Sequence, residues 1–363
     1  MNPFRPIRFK NPNQALFVKT LRKRVDDYFK ENDISRTGGF SLKVKAAFMF
    51  ALYFVPYFLM VFSVVTNIWV LWAMAFLMAL GMAGLGFCVM HDANHGVFSR
   101  KKWLNNAMGY SLNFLGGNVN NWKAQHNILH HSYTNVEGFD EDIDPGKLLR
   151  FSPHAEKKKY HKYQFLYAWP LYSLMTLAWT FKKDMLDAPR YEKMGIYKQL
   201  KTNMKKELLI IIGTRLLYFF YMLFVPMYFM EIAWWQVVIG FFTVHLCAGL
   251  LLALIFQLAH VMEDTQFPLP EEGSLLIENQ WAVHQLQTTL NFSAKSRVLS
   301  WFVGGLNFQI EHHLFPNISH VHYKNIAPIV KQTALEYGLP YYDKKTFFNA
   351  LASHGRMLYQ LGR

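Results

Sequence analysis

From residue 46 to residue 90 the chain carries no charged side chain and no histidine. A bilayer core takes about 20 apolar residues per helix. This run therefore predicts two spans joined by a tight turn near Thr66 and Asn67. A second pair is predicted over 208–230, interrupted only by Arg215, and over 233–258, with its turn at Glu231. A fifth apolar stretch, Tyr163 to Phe181, is shorter and carries Pro170 near its middle. The pattern reads as an all-α integral membrane protein with two helical hairpins, 46–90 and 208–260. A basic segment, 1–45, precedes them. A cap segment, 91–207, separates them, and a helical region, 261–363, follows.

Charge changes this picture by adding an orientation. The formal net charge is +14, a value compatible with nucleic-acid binding. Its distribution argues against that partner, because Lys and Arg cluster beside the apolar runs and vanish inside them. Residues 1–45 hold eleven Lys or Arg, residues 91–162 are also basic, and the turns near 67 and 231 hold none. The positive-inside rule then puts both termini and the long loops in the cytoplasm. The two cysteines, Cys88 and Cys247, lie in apolar runs, so neither a disulfide framework nor a thiolate metal site is expected.

The chemistry lies in the histidines. Seven of the fifteen fall in three tight groups: HDANH (His91, His95), HNILHH (His126, His130, His131) and EHH (His312, His313). Residues i and i+4 share one face of an α-helix, so His91 with His95, and His126 with His130, can each serve one metal centre. Adjacent residues diverge by about 100°. His130 with His131, and His312 with His313, are thus placed to reach two ions rather than one. A lone pair of this kind is more often coincidence, but three groups at one predicted membrane face are not. His260, at the end of the last span, is an additional ligand candidate, because an ionisable residue at such depth is functional by default. His154, His161 and His354 are expected in solvent, and His320 and His322 beside the site. His245 and His284 stay open. Imidazole suits zinc, copper, iron and nickel. The motifs HExxH and ExxH are both absent, which removes the zinc proteases and the carboxylate-bridged di-iron bundles. Oxygen chemistry on a lipid, with iron, is the expected use.

HDANH, HNILHH and QIEHH resemble the three histidine boxes of the membrane fatty acid desaturases, in the same order and with the same interposed spans. HNILHHSYTN and FQIEHHLFPNISHVHY are most similar to the bacterial and cyanobacterial front-end group, the linoleoyl-CoA or delta-6-like enzymes. In that group the third box begins with glutamine, as Gln309 does here. The resemblance implies a double bond inserted into a fatty acyl chain, on CoA or a lipid, by two iron ions, O2 and two electrons. It implies that His91, His95, His126, His130, His131, His312 and His313 are the ligands. It matches His260 to a further ligand and Asp140 to a recurring acid that orients one. Gln309 is expected to ligate weakly or to fix a ligand. Where relatives carry an asparagine four residues before His260, this chain has Phe256, with Gln257 beside it. The fused cytochrome b5 signature HPGG is absent. Electrons are therefore expected from a separate ferredoxin, flavodoxin or cytochrome b5. The similarity to the bacterial group points to a bacterial inner membrane, and the charge pattern to an active site on its cytoplasmic side.

The second and third boxes must reach one site, so an even number of spans separates them. Of the three apolar stretches between, 163–181 is the one expected not to cross but to lie in the interface. A histidine-box hydroxylase of lipids or alkanes is the nearest rival, separable by its alcohol product. A metal transporter is more distant, since transporters spread ionisable groups through the midplane, and here they group at one face.

Overall fold

The computed structural model describes residues 5–271 and 273–363. Among them, four helices are long and apolar enough to cross a membrane: Gly39–Val61, Ile68–Asn94, Met204–Phe229 and Trp234–His260. The turns fall where the polarity predicts. Asn67 caps the second helix, its side chain accepting from the backbone N–H groups of Trp69 and Val70. Asn203 caps the third by accepting from Lys206 N–H. The first helix starts at Gly39 rather than 46, because a helix does not end where its apolar run ends. Its opening turns carry Lys43 and Lys45, whose long stems can lie along apolar surface.

The chain folds as two compact units. One gathers the chain up to Gly38, Lys123–Ala168 and Ile255–Arg363; the other gathers Gly39–Trp122 and Trp169–Leu254. The cap segment 91–207 is thus divided between them.

The second unit holds the spans. Gly81 lets the first two helices touch: a Cβ there would sit 2.6 Å from the Tyr53 amide nitrogen. Gly249 does the same for the last span, where a Cβ would collide with the Ser173 carbonyl oxygen. Large apolar side chains such as Trp72, Leu209, Leu216 and Phe224 are exposed on these helices. That surface suits lipid. Trp69, Tyr228 and Trp234 are exposed near the turns, where aromatic residues anchor an interface. Arg215, the one charge in its apolar run, pairs with the Asp184 carboxylate and donates to the carbonyls of Gly117 (3.2 Å) and Trp179 (3.0 Å). Burial pushes the Asp184 carboxyl up to about 6 against the pull of Arg215. The stretch 163–181 is not one helix. Gln164–Ser173 contains Pro170 without breaking there; the break comes at Leu174, before Met175–Ala178 and a wider π-helical turn, Trp179–Lys183.

The first unit is built on its amphipathic helices. Ala15–Glu31 buries Phe17, Leu21, Val25 and Phe29, spaced four apart along one face. They join one core with Ile326, Val330 and Ala334 of Tyr323–Glu336. The basic N-terminal segment is therefore part of a core. Two short parallel strand pairs, Arg8–Phe9 with Leu276–Ile277 and Asn291–Phe292 with Asp343–Lys344, tie distant segments into this unit.

Candidate metal centre

His91 and His95 lie in the unit that holds the spans. A π-helical stretch, Leu85–Met90, precedes them. Their ring centroids are 4.8 Å apart. Trp122 packs edge-on against both, at 5.6 and 5.9 Å, within a buried cluster of Met90 and Leu112 that Trp179 joins. Asp92 Oδ1 is 3.9 Å from His91 Nδ1, beyond hydrogen-bond reach.

The other six candidate histidines belong to the first unit. The second box does not sit on a regular α-helix: Lys123–His130 is π-helical, and His131 opens the short helix that follows. The i→i+5 bonding of a π-helix widens the turn, and such turns concentrate at functional sites. His126 consequently faces both of its partners. Its ring lies 5.3 Å from His130 and 4.7 Å from His131, and the His126 and His131 Nε2 atoms are 3.2 Å apart. The third box forms the helix Gln309–Leu314, every residue of it buried.

These imidazoles converge on two foci. His130, His260 and His313 form one triad, with ring separations of 4.6, 4.9 and 4.8 Å. His131, His312 and His313 form a second, at 4.6, 4.4 and 5.4 Å. Within each triad the candidate ligand nitrogens lie within 4.8 Å of one another. The ring planes of the adjacent pairs stand steeply to one another, at 75° for His130 and His131 and at 84° for His312 and His313. His313 belongs to both foci.

Four of the rings, His130, His260, His312 and His313, are held through Nδ1. His130 Nδ1–H donates to both Asp140 oxygens, at 3.0 and 3.1 Å, with Asp142 3.4 Å away. Asp140 is itself fixed by the N–H groups of Asn135 (2.8 Å) and Asp142 (2.9 Å). Burial alone would lower the His130 pKa, but the two carboxylates outweigh it and raise it to about 9. Burial likewise works to raise Asp140, and the facing imidazole overcomes it, holding the carboxyl below its usual range. His260 Nδ1 reaches the Thr288 carbonyl at 3.3 Å, and His312 Nδ1 reaches the Tyr323 hydroxyl at 3.1 Å. His313 Nδ1 reaches Gln285 Oε1 at 2.8 Å. Its Nε2 is buried with no hydrogen-bond partner in the protein. Burial and the surrounding imidazoles push the His313 pKa well down, keeping the ring neutral. Buried imidazoles gathered in two triads fit a pair of metal ions. Without an ion, the His313 nitrogen would carry an uncompensated desolvation cost.

The remaining candidates divide. Gln309 is buried at the start of the third-box helix, its amide against His260. Phe256 lies 6.3 Å from the His126 ring, and Gln257 donates to the Asp142 carbonyl at 3.2 Å. Glu311 is a brace: it accepts from Asn291 at 2.7 Å and from Tyr341 at 3.0 Å. Burial pushes its carboxyl up to about 7 despite those two donors. His161 and His354 are buried rather than solvated, bonded to the carbonyls of Lys147 (3.0 Å) and Val261 (2.7 Å). Their neighbours in sequence are polar, and local polarity does not reveal a buried carbonyl partner. His245 is a buried span histidine bonded to Tyr218 (2.7 Å) and Thr176 (3.0 Å). Sequence reasoning missed Thr134, Gln285, Thr288 and Tyr323. A signal existed for the helix Trp281–Thr288: Trp281, His284, Gln285 and Thr288 fall at i, i+3, i+4 and i+7, one polar stripe.

The fatty acid desaturase family profile matches residues 66–345. The sn-1 linoleoyl-lipid 6-desaturase of Synechocystis sp. is 33% identical over 357 residues, 98% of either chain. The sn-1 linoleoyl-lipid 6-desaturase of Arthrospira platensis is 32% identical, covering 93% of this chain and 90% of its own. The acyl-lipid (8-3)-desaturase of Physcomitrium patens is 35% identical, covering 95% and 72%. With the histidine triads and the four apolar helices, these matches establish that the chain belongs to the fatty acid desaturase family: it is a membrane fatty acyl desaturase, an oxidoreductase.

Proposed function

We propose that this desaturase is a di-iron, O2-dependent enzyme acting on the acyl chain of a membrane lipid. We further propose that it places the new double bond between an existing one and the carboxyl end. The observation that carries the metal reading is the pair of histidine triads sharing His313. The lipid carrier and the front-end position are supported by relatives named as acyl-lipid 6- and (8-3)-desaturases. His126, His130, His131, His260, His312 and His313 hold iron through ring nitrogens, and His91 and His95 complete the set. Asp140 orients His130, and Gln309 fixes His260 or a metal-bound water.

The reaction removes two hydrogens from neighbouring methylenes and reduces O2 to two waters, with two electrons and two protons supplied from outside. Iron, when bound, supplies the oxidising power to break an unactivated C–H bond, which no side chain can do. The protein does the rest. Asp140, Thr288 and Gln285 hold histidine protons on Nδ1, so each ring offers Nε2. Acyl methylenes offer no polar handle, so shape alone sets position along the chain. Beside the first box, Met82, Gly86, Met90, Leu112, Trp179 and Leu252 line a small apolar cavity. Electrons come from a separate ferredoxin, flavodoxin or cytochrome b5. The active site faces the cytoplasm of a bacterial inner membrane.

Fatty acid profiling of cells expressing the protein tests this reading. A new olefin on the carboxyl side of an existing bond is expected in membrane lipids. Hydroxylated chains, or an olefin toward the methyl end, would overturn the activity or the position respectively.

A further inference from the structure

The helix Trp281–Thr288 contains none of the candidate ligands, yet it touches the metal-centre segments at four places. Trp281 Nε1–H donates to the His131 carbonyl at 3.0 Å. His284 Nε2–H donates to the Thr134 carbonyl at 2.9 Å. Gln285 meets His313, and the Thr288 carbonyl accepts from His260. Gln285, at the centre of this stripe, is fully buried.

We infer that Gln285 is a positioning residue that sets the tautomer of His313, taking its own orientation from the backbone carbonyl of His131. This rests on the metal reading above. A carbonyl oxygen can only accept, so the His131 carbonyl, 3.4 Å from Gln285 Nε2, calls for the NH2 end of the amide. Oε1 then faces His313 Nδ1 at 2.8 Å and accepts its proton. With the proton on Nδ1, the lone pair is on Nε2, the buried atom left without a protein partner. A reversed amide would set Oε1 against the His131 oxygen and NH2 against Nδ1. The ring proton would then move to Nε2 and block ligation. The Thr134 hydroxyl closes the arrangement, 2.9 Å from Gln285 Oε1 and 2.7 Å from the His130 carbonyl. One amide thus ties the second box to the third. His313 lies in both triads but offers one ligand atom, so its tautomer decides whether one of the two foci is completed.

The test is anaerobic ferrous-iron titration of the full-length protein in detergent, with metal per chain counted after gel filtration and folding followed by thermal melting. Removing a partner that orients a ligand costs about ten- to a hundredfold in metal affinity, and Gln285→Leu is expected to show that loss while remaining folded. Gln285→Glu keeps an acceptor facing Nδ1 and is expected to bind iron more tightly than Gln285→Leu. If Gln285 merely packs, the order reverses: the apolar variant keeps its iron, and the buried carboxylate against a carbonyl does worse. Leu equal to wild type, or Leu better than Glu, overturns the inference. Should Gln285→Leu fail to fold, Gln285→Met carries the same comparison. If neither folds, wild-type affinity in Gln285→Glu supports the role and a tenfold loss overturns it. A wild-type protein that takes up no iron would instead overturn the metal reading itself.

Discussion

The Asp140 carboxylate grips one imidazole proton with two oxygens while two backbone amides grip it. A charged acceptor behind a ligand raises the basicity of the facing nitrogen. Asp140→Asn keeps the shape and removes the charge, and should weaken iron binding about ten- to a hundredfold with the fold retained. Titrated iron content, read beside the melting curve, checks this. Gln309 is a different case, a neutral amide against His260 at the start of the third-box helix. Gln309→Leu should leave a folded protein with little or no desaturation, while Gln309→His, which restores a nitrogen donor, should retain some. Wild-type turnover in Gln309→Leu with two irons bound would make the residue structural. The ligand candidates were legible because histidine is scarce in apolar sequence and their spacing is geometric. Their anchors were not. Gln285, Thr134 and Tyr323 are ordinary polar residues until folding brings them to a ring nitrogen, and nothing local in sequence records a contact across 28 or 179 positions.

Helix type explains how one box serves two foci. In an α-helix His131 would lie about 140° round from His126, out of reach of a shared ion. The π-helical Lys123–His130 segment brings both His130 and His131 to His126 instead. Such a turn holds one residue more than an α-helical turn. Deleting Ala124, just upstream of His126, should let the segment relax toward α geometry and pull His131 from its triad. The expected result is a folded chain that binds fewer irons, checked by metal counting beside the melting curve. Full metal content would show that the wide turn is incidental. Apolar run length and the polar turns near Asn67 and Glu231 made the spans readable, since both are local. The π-helical turn was not, because spacing of four fits an α-helix equally well and only the i→i+5 bonds distinguish them. The break after Ser173 was not legible for a related reason. Pro170 is tolerated within its helix, and the interruption at Leu174 has no residue that forbids a helix.

At the scale of the whole chain two quantities are open, the face the long loops take and whether the second and third boxes share it, and charge and parity bear on one each. The eleven Lys and Arg of residues 1–45 precede the first span, while the turns between paired spans carry none, an asymmetry from which the positive-inside rule predicts basic loops on the cytoplasmic side. Parity bears on the second. His126, His130 and His131 lie in the same unit as His312 and His313, so the chain between must cross an even number of times. Two of the helices between them are long and apolar enough to cross, and the interrupted stretch from Gln164 to Lys183 is not among them. Lys158 and Lys183 flank that stretch. Single cysteines at these positions should therefore react from the same face, with a membrane-impermeant maleimide failing on intact spheroplasts and succeeding on inverted vesicles. Cysteines at Ser63 and Glu231, beside the turns of the two hairpins, should show the opposite pattern. Labelling of Lys158 and Lys183 from opposite faces would require a fifth crossing. It would set the second and third boxes on different sides of the bilayer, which their shared triads do not allow.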